Sequence, residues 1–132
     1  MSDSKAPTQQ AVTIEALNQR IWKHLEERDW HKNTSRGLAI SLALEANELL
    51  EHYQWSDTPV GGPGAVGEEL ADVLIYAMQI AQQNNVDIVD AIERKLEKAA
   101  LKYPAASFKG KDEIAQREAW LKNKLAHQKQ GL

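Results

Sequence analysis

Glu45 and Glu48 stand three residues apart, and Glu69 and Asp72 repeat that spacing further along the chain. In a helix, residues three apart are neighbours on one face, about 60° apart around the axis. Two such pairs brought face to face would collect four carboxylates. Like charges about 4 Å apart repel by roughly 4 kcal/mol at an effective dielectric of 20, a large share of a domain stability of about 5 to 15 kcal/mol. A cluster of this kind calls for protons or a cation. An all-oxygen donor set suits a hard ion, and magnesium held by a few carboxylates plus phosphate oxygens fits better than a closed calcium cage. A di-iron bundle would need Glu-x-x-His on two helices, and no His follows a Glu at that distance. The competing explanation is that these acids merely solvate helix surfaces, and spacing alone does not separate the two.

Other residues invite chemistry around the acids. Lys95, Lys98 and Lys102 lie along one side of a helical segment, with Lys95 between Ala91 and Ala99 in its apolar stripe. Such a lysine either snorkels to solvent or contacts phosphate opposite the carboxylates. Trp30 and Trp55 close the segments on either side of the first acid pair, where an indole packs into a core or stacks on a base. His52, one turn beyond Glu48, either lines the site or meets the C-terminal dipole of its helix. Gly62 and Gly67 have phosphate-loop spacing, but Glu68 and Glu69 follow where Lys and Ser or Thr belong. An acidic helix start repels phosphate, which excludes a P-loop.

Helices must position these groups. Ile14, Leu17, Ile21 and Leu25 recur at helical spacing between Val12 and Glu27, with Thr13 as a cap. A second pattern runs from about Arg36 to Gln54 through Leu38, Leu42, Ala46, Leu49 and Tyr53. Glu45 and Glu48 flank that stripe, whereas Glu51 points away from it. The stretch from Ser56 to Gly67, rich in Pro and Gly, reads as a loop long enough to reverse the chain. A third helix, from about Glu68 to Gln83, is apolar over most of its circumference and is expected to be the central one. Asp87 caps a fourth, which Pro104 stops after Tyr103, and a weaker helical segment spans about Asp112 to Ala126. The expected fold is all-α and four-helix-bundle-like. Residues 1–10 form a polar, disordered tail, 11–104 the helical domain and 105–132 a helical extension.

Composition narrows the partners. The 132 residues carry 16 Lys and Arg against 19 Asp and Glu, a net charge of -3 with both signs interspersed. Nucleic acid is therefore not expected as a partner, since binding it needs a basic face. With no cysteine, disulfides, thiol nucleophiles and Cys-ligated zinc are excluded, and a reducing compartment is compatible. The first residues lack an apolar signal core, and no run of about 18 apolar residues exists, so membrane insertion is not expected. The reading is a cytoplasmic protein.

Three segments together carry a resemblance. Leu42-Ala43-Leu44-Glu45-Ala46-Asn47-Glu48-Leu49-Leu50 running to Gln54-Trp55, Glu68-Glu69-Leu70-Ala71-Asp72-Val73-Leu74-Ile75-Tyr76, and Lys102-Tyr103-Pro104 resemble the all-alpha nucleoside triphosphate pyrophosphohydrolases. Within them, the MazG-like and dCTP pyrophosphatase branch is the nearest in pattern. The similarity spans about Val12 to Pro104 and includes Arg28-Asp29-Trp30.

The resemblance implies cleavage of a nucleoside triphosphate to monophosphate and pyrophosphate with Mg2+, for which Mn2+ can substitute. It implies metal binding by Glu45, Glu48, Glu69 and Asp72, with Glu48 and Glu45 serving the attacking water. Lys95 and Tyr103 are placed near the phosphates and Trp30 and Trp55 near the base; from their positions on the helices, Lys98 and Lys102 are expected to join the former and His52 the latter. A homodimer or homotetramer is expected, and dCTP heads the expected substrates, ahead of dATP, dUTP or a modified nucleotide. Two departures stand out. Ala99 occupies a position where relatives often carry Asn, and the Asn33-Thr34 loop lacks the His-Pro of the dCTP-type branch and is one residue shorter. A non-catalytic nucleotide or metal sensor, or a helical interaction module, is the alternative function on the same fold.

Overall fold

The computed structural model describes residues 10–131, so nearly all of the expected N-terminal tail lies outside the described residues. Five α-helices follow one another: α1 (Ile14–Glu26), α2 (Ser35–Glu51), α3 (Gly62–Gln83), α4 (Ile88–Lys102) and α5 (Glu113–Lys129), with a short 3-10 turn at Ala105–Ser107. No strand occurs among the described residues. The all-helical reading therefore holds. The chain divides into two compact units, one ending at Val86 and carrying α1 to α3, the other beginning at Asp87 and carrying α4 and α5.

Local chemistry sets the helix ends. Thr13 Oγ1 accepts from the Ala16 N–H at 3.1 Å, Thr34 Oγ1 from Gly37 at 3.0 Å, Asp87 Oδ1 from Asp90 at 3.1 Å and Asp112 Oδ1 from Ala115 at 2.8 Å. Each satisfies an amide that the helix itself leaves unpaired. Two helices end on a left-handed residue other than glycine, Asp29 (φ 56°) after α1 and Asn85 (φ 53°) after α3. The residue that follows each turns back, the Trp30 N–H to Leu25 O at 2.9 Å and the Val86 N–H to Ala81 O at 2.8 Å. Asp and Asn tolerate this conformation better than other side chains.

The start of α3 differs most from the sequence reading, while α2 ends three residues early at Glu51 and α5 runs three residues further to Lys129. The glycine-rich stretch expected to remain a loop to Gly67 is helical from Gly62 onward. Pro63 sits in the first turn, where its fixed φ suits the helix and its missing N–H costs nothing. Gly64 and Gly67 then ride inside a helix that the long apolar run after Glu68 stabilises by packing.

In the first unit α3 is central, packing against both α1 and α2. It contributes Met78 and Ala81 to a small core with Leu25 of α1 and Leu38 of α2. Contacts at both ends show that α2 and α3 run antiparallel. At one end the Ser35 hydroxyl donates to Gln83 Oε1 at 2.8 Å, the Gln83 amide donates to the Asn33 carbonyl and Asn84 Nδ2 donates to Ser35 at 3.1 Å. At the other, His52 lies 3.6 Å from Glu69. This register fixes which acids meet.

Candidate metal centre

With α2 and α3 antiparallel, Glu45 and Glu48 on one helix and Glu69 on the other each present a carboxylate oxygen within 4.8 Å of the others. Glu45 and Glu69 are half-buried and Glu48 is exposed. For Glu45, burial lifts the pKa above the usual carboxylate value of 4.5, helped by the charges of Glu48 and Asp72, the contact with Glu48 and the charge of Glu69. Its Oε2 is buried and meets no hydrogen-bond donor among the described residues. A buried carboxylate oxygen without a donor, beside two further carboxylates, is an arrangement that a hard cation satisfies and a neutral core does not. The donor set and the orphaned oxygen thus fit a divalent metal ion.

The basic group against these acids is His52, the C-cap of α2, whose Nε2 lies 3.6 Å from Glu69 Oε1 with both side chains less than one-fifth exposed. His52 thus stands both at the helix end and beside the acids. Its position depends on Gly61. A Cβ there would fall 2.5 Å from that of Ala65 and 3.2 Å from the His52 ring, so only glycine lets α3 begin this close to the imidazole. The turn is pinned where the Val60 N–H donates to the His52 carbonyl at 3.0 Å. Glu48, Glu51, His52, Trp55, Val60 and Glu69 line a cavity of about 510 Å3 here. Glu51 was not expected among them, and Trp55 is 84% exposed at the rim.

Asp72, the fourth expected ligand, stands apart from the three-carboxylate group. Its charge reaches Glu45, yet it lines a second cavity of about 290 Å3 with His24, Leu25, Trp30, Asn33, Ile75, Tyr76 and Gln79. Trp30 and Trp55, paired in the sequence reading, therefore line different cavities. Trp30 packs edge-on against His24, centroids 6.2 Å apart. Tyr76 and Gln79 escaped the sequence reading although a signal existed. Glu69, Asp72, Tyr76, Gln79 and Gln83 form a polar stripe at helical spacing along an otherwise apolar helix.

The expected phosphate contacts belong to the second unit. Lys95 is exposed on α4, while Lys98 and Lys102 line a cavity with Arg94, Glu97, Leu101 and His127. The Lys102 ammonium lies 5.5 Å from the centre of the Tyr103 ring, which packs edge-on against Phe108. Ala99 is half-buried on the same helix.

Fold and site together define an all-helical protein with a carboxylate cluster between antiparallel helices. The MazG-like family matches residues 40–116, and the chain belongs to it. It is 32% identical over 107 residues to dCTP pyrophosphatase 1 of Mus musculus, the alignment taking in 74% of this chain and 63% of that protein. The Homo sapiens protein of the same name is 33% identical over 102 residues, covering 70% and 60%. The chain thus spans less than two-thirds of these relatives' length. Among solved structures, a pyrophosphatase from Archaeoglobus fulgidus superposes with a TM-score of 0.63 at 32% identity, over 72% of this chain and 95% of that one.

Proposed function

We propose that this chain is a magnesium-dependent nucleoside triphosphate pyrophosphohydrolase that releases a nucleoside monophosphate and pyrophosphate. The observation that carries the reading is the convergence of Glu45, Glu48 and Glu69 around the unpaired Glu45 oxygen. Relatives named pyrophosphatases on the same fold support it.

Glu45, Glu48 and Glu69 would hold the ion, with Asp72 joining through substrate or a small movement of α3. When bound, magnesium neutralises triphosphate charge and makes phosphorus more electrophilic. Glu48, the most exposed of the three acids, orients the attacking water and takes its proton. The water oxygen bonds to phosphorus at the α–β anhydride, the bridging P–O bond breaks, and its electron pair leaves with pyrophosphate. Glu45, beside Glu48, is the second acid placed to orient that water. His52 restrains Glu69 and, with Trp55, flanks the acids, so we assign the base to the cavity that Trp30 lines.

Lys95, Lys98, Lys102 and Tyr103 are assigned to the phosphates on the family resemblance, and replacing any of the lysines with Ala is expected to raise KM. The similarity to dCTP pyrophosphatase 1 makes dCTP the first substrate to try. We further propose a homodimer or homotetramer acting in the cytoplasm. No helix of the described residues is long and apolar enough to cross a membrane.

The decisive experiment incubates the protein with magnesium and each common ribo- and deoxyribonucleoside triphosphate, followed by chromatography of the products. Monophosphate with pyrophosphate is expected, and the fastest substrate fixes the base preference. Tight nucleotide binding without products would instead favour a sensor, the reading to which Ala99 points.

A further inference from the structure

Gln79 is the one polar side chain in the core of the described residues, 6% exposed on α3. No side-chain hydrogen bond of the described residues involves it, and it faces the cavity it shares with Trp30, Tyr76, Asn33 and Asp72. Buried amides are normally paired within the fold, because leaving them unpaired costs stability. The next polar residue of the stripe shows the contrast: Gln83, one turn on, is tied to Ser35 and to the Asn33 carbonyl. Gln79 has the same chemistry and greater burial, and it lines a cavity without such a bond.

We propose that Gln79 is a specificity-determining residue that hydrogen-bonds the pairing edge of a pyrimidine base seated in this cavity. The inference rests on the pyrophosphohydrolase reading and adds to it the group that reads the base. Three features of the cavity support it. Its volume of about 290 Å3 lies just below the range of about 300 to 1,000 Å3 for small-molecule sites, which favours one ring over two. Trp30 and Tyr76 supply aromatic surface for the faces of that ring. Asp72, whose charge also acts on Glu45, stands at the side nearest the metal-binding acids. Gln79 lies seven residues further along the same helix, about 10 Å by helical rise, so a base at Gln79 leaves its phosphates near the acids.

A carboxamide offers a donor and an acceptor side by side, as does the pairing edge of a pyrimidine. It can meet the amino group and ring nitrogen of cytosine, or, turned over, the carbonyl and ring N–H of uracil. A carboxylate accepts only. Gln79→Glu should therefore keep one contact and oppose the other with either base, meeting the cytosine ring nitrogen or the uracil carbonyl with a second acceptor, whereas Gln79→Met, close in size, should lose both.

The test compares kcat/KM for dCTP, dUTP and dATP in the wild type, Gln79→Met and Gln79→Glu, with circular dichroism to verify folding. Ratios between substrates are independent of how much of each preparation is active, so a partly misfolded variant still reports. Gln79→Met is expected to lose roughly tenfold to hundredfold in kcat/KM for the preferred pyrimidine, mainly through KM, and to lose its preference over dATP. Gln79→Glu is expected to lower kcat/KM for dCTP and dUTP alike by about tenfold relative to dATP, leaving the dCTP to dUTP ratio little changed. An active wild type whose substrate ratios change less than twofold in both variants would overturn the role of Gln79 and leave the pyrophosphohydrolase reading standing. A wild type that cleaves none of the triphosphates overturns both.

Discussion

Glu45 carries the strain of the site, because burial and three neighbouring acids all oppose its ionisation. A carboxylate whose pKa is higher in the folded than in the unfolded state stabilises the fold below the unfolded value and loses that contribution as pH rises through the folded value. The window opens near 4.5 and extends upward. Without metal, the melting temperature of the wild type should therefore fall across this window relative to Glu45→Gln, which cannot ionise. Saturating magnesium should remove the difference in slope, since the cation stabilises the ionised carboxylate. Thermal melts of both proteins from pH 4 to pH 8, with magnesium and with chelator, check this, and parallel curves under all conditions would refute it. The same variant should lose activity by about 100-fold or more, exceeding the roughly 10- to 100-fold typical of residues that only support a ligand. Glu48→Gln should lose turnover at least as severely with helical content intact, as circular dichroism and product chromatography would show.

At the level of elements, the start of α3 is where the fold is most exposed to a small change. Adding one methyl group at position 61 sets a Cβ 2.5 Å from Ala65 and crowds the His52 ring. Gly61→Ala should therefore destabilise the protein by about 1 to 3 kcal/mol, the usual cost of overpacking, and weaken magnesium binding by shifting His52 and with it Glu69. Urea unfolding and a magnesium titration of activity would measure the two effects. The helix order was legible because patterning and caps agree at most boundaries. Thr13, Asp87 and Pro104 all act as their types suggest. The beginning of α3 was not legible, because Gly and Pro look the same in a loop and in a first helical turn, and only packing of the apolar run beyond them decides. The same limit applies to the site. Spacing identified Glu45, Glu48 and Glu69, since a pair on one helix face can meet a pair on the next. It could not place Asp72 beside a second cavity or assign Trp30 and Trp55 to different ones, because those outcomes depend on the helix register set by Ser35, Gln83 and Asn84. Nor did it single out Gln79, whose polarity reads as surface until burial is known.

At the scale of the whole molecule, apolar surface exceeds what the described residues bury. Leu25, Leu38, Met78 and Ala81 are the buried hydrophobic residues, whereas Ile40, Leu44 and Leu50 on α2 and Leu70 and Leu74 on α3 are all more than two-fifths exposed. Burying one Leu or Ile side chain contributes about 1.5 to 3 kcal/mol, comparable with a substantial part of a domain's net stability of about 5 to 15 kcal/mol. Ile40 with Leu44, and Leu70 with Leu74, are four residues apart and so form continuous apolar strips on their helices, of the kind that mark association surfaces. Self-association would cover them, and stability would then depend on protein concentration because the assembled form is the folded one. The expected outcome is a homo-oligomer by sedimentation at micromolar concentration, with a melting temperature that rises as the protein is concentrated. Leu44→Glu should lower both the mass and the melting temperature and steepen the loss of activity on dilution. A monomer whose melting temperature is the same across a hundredfold dilution would show that these strips serve no assembly, and the homo-oligomer proposed for this chain would then be wrong.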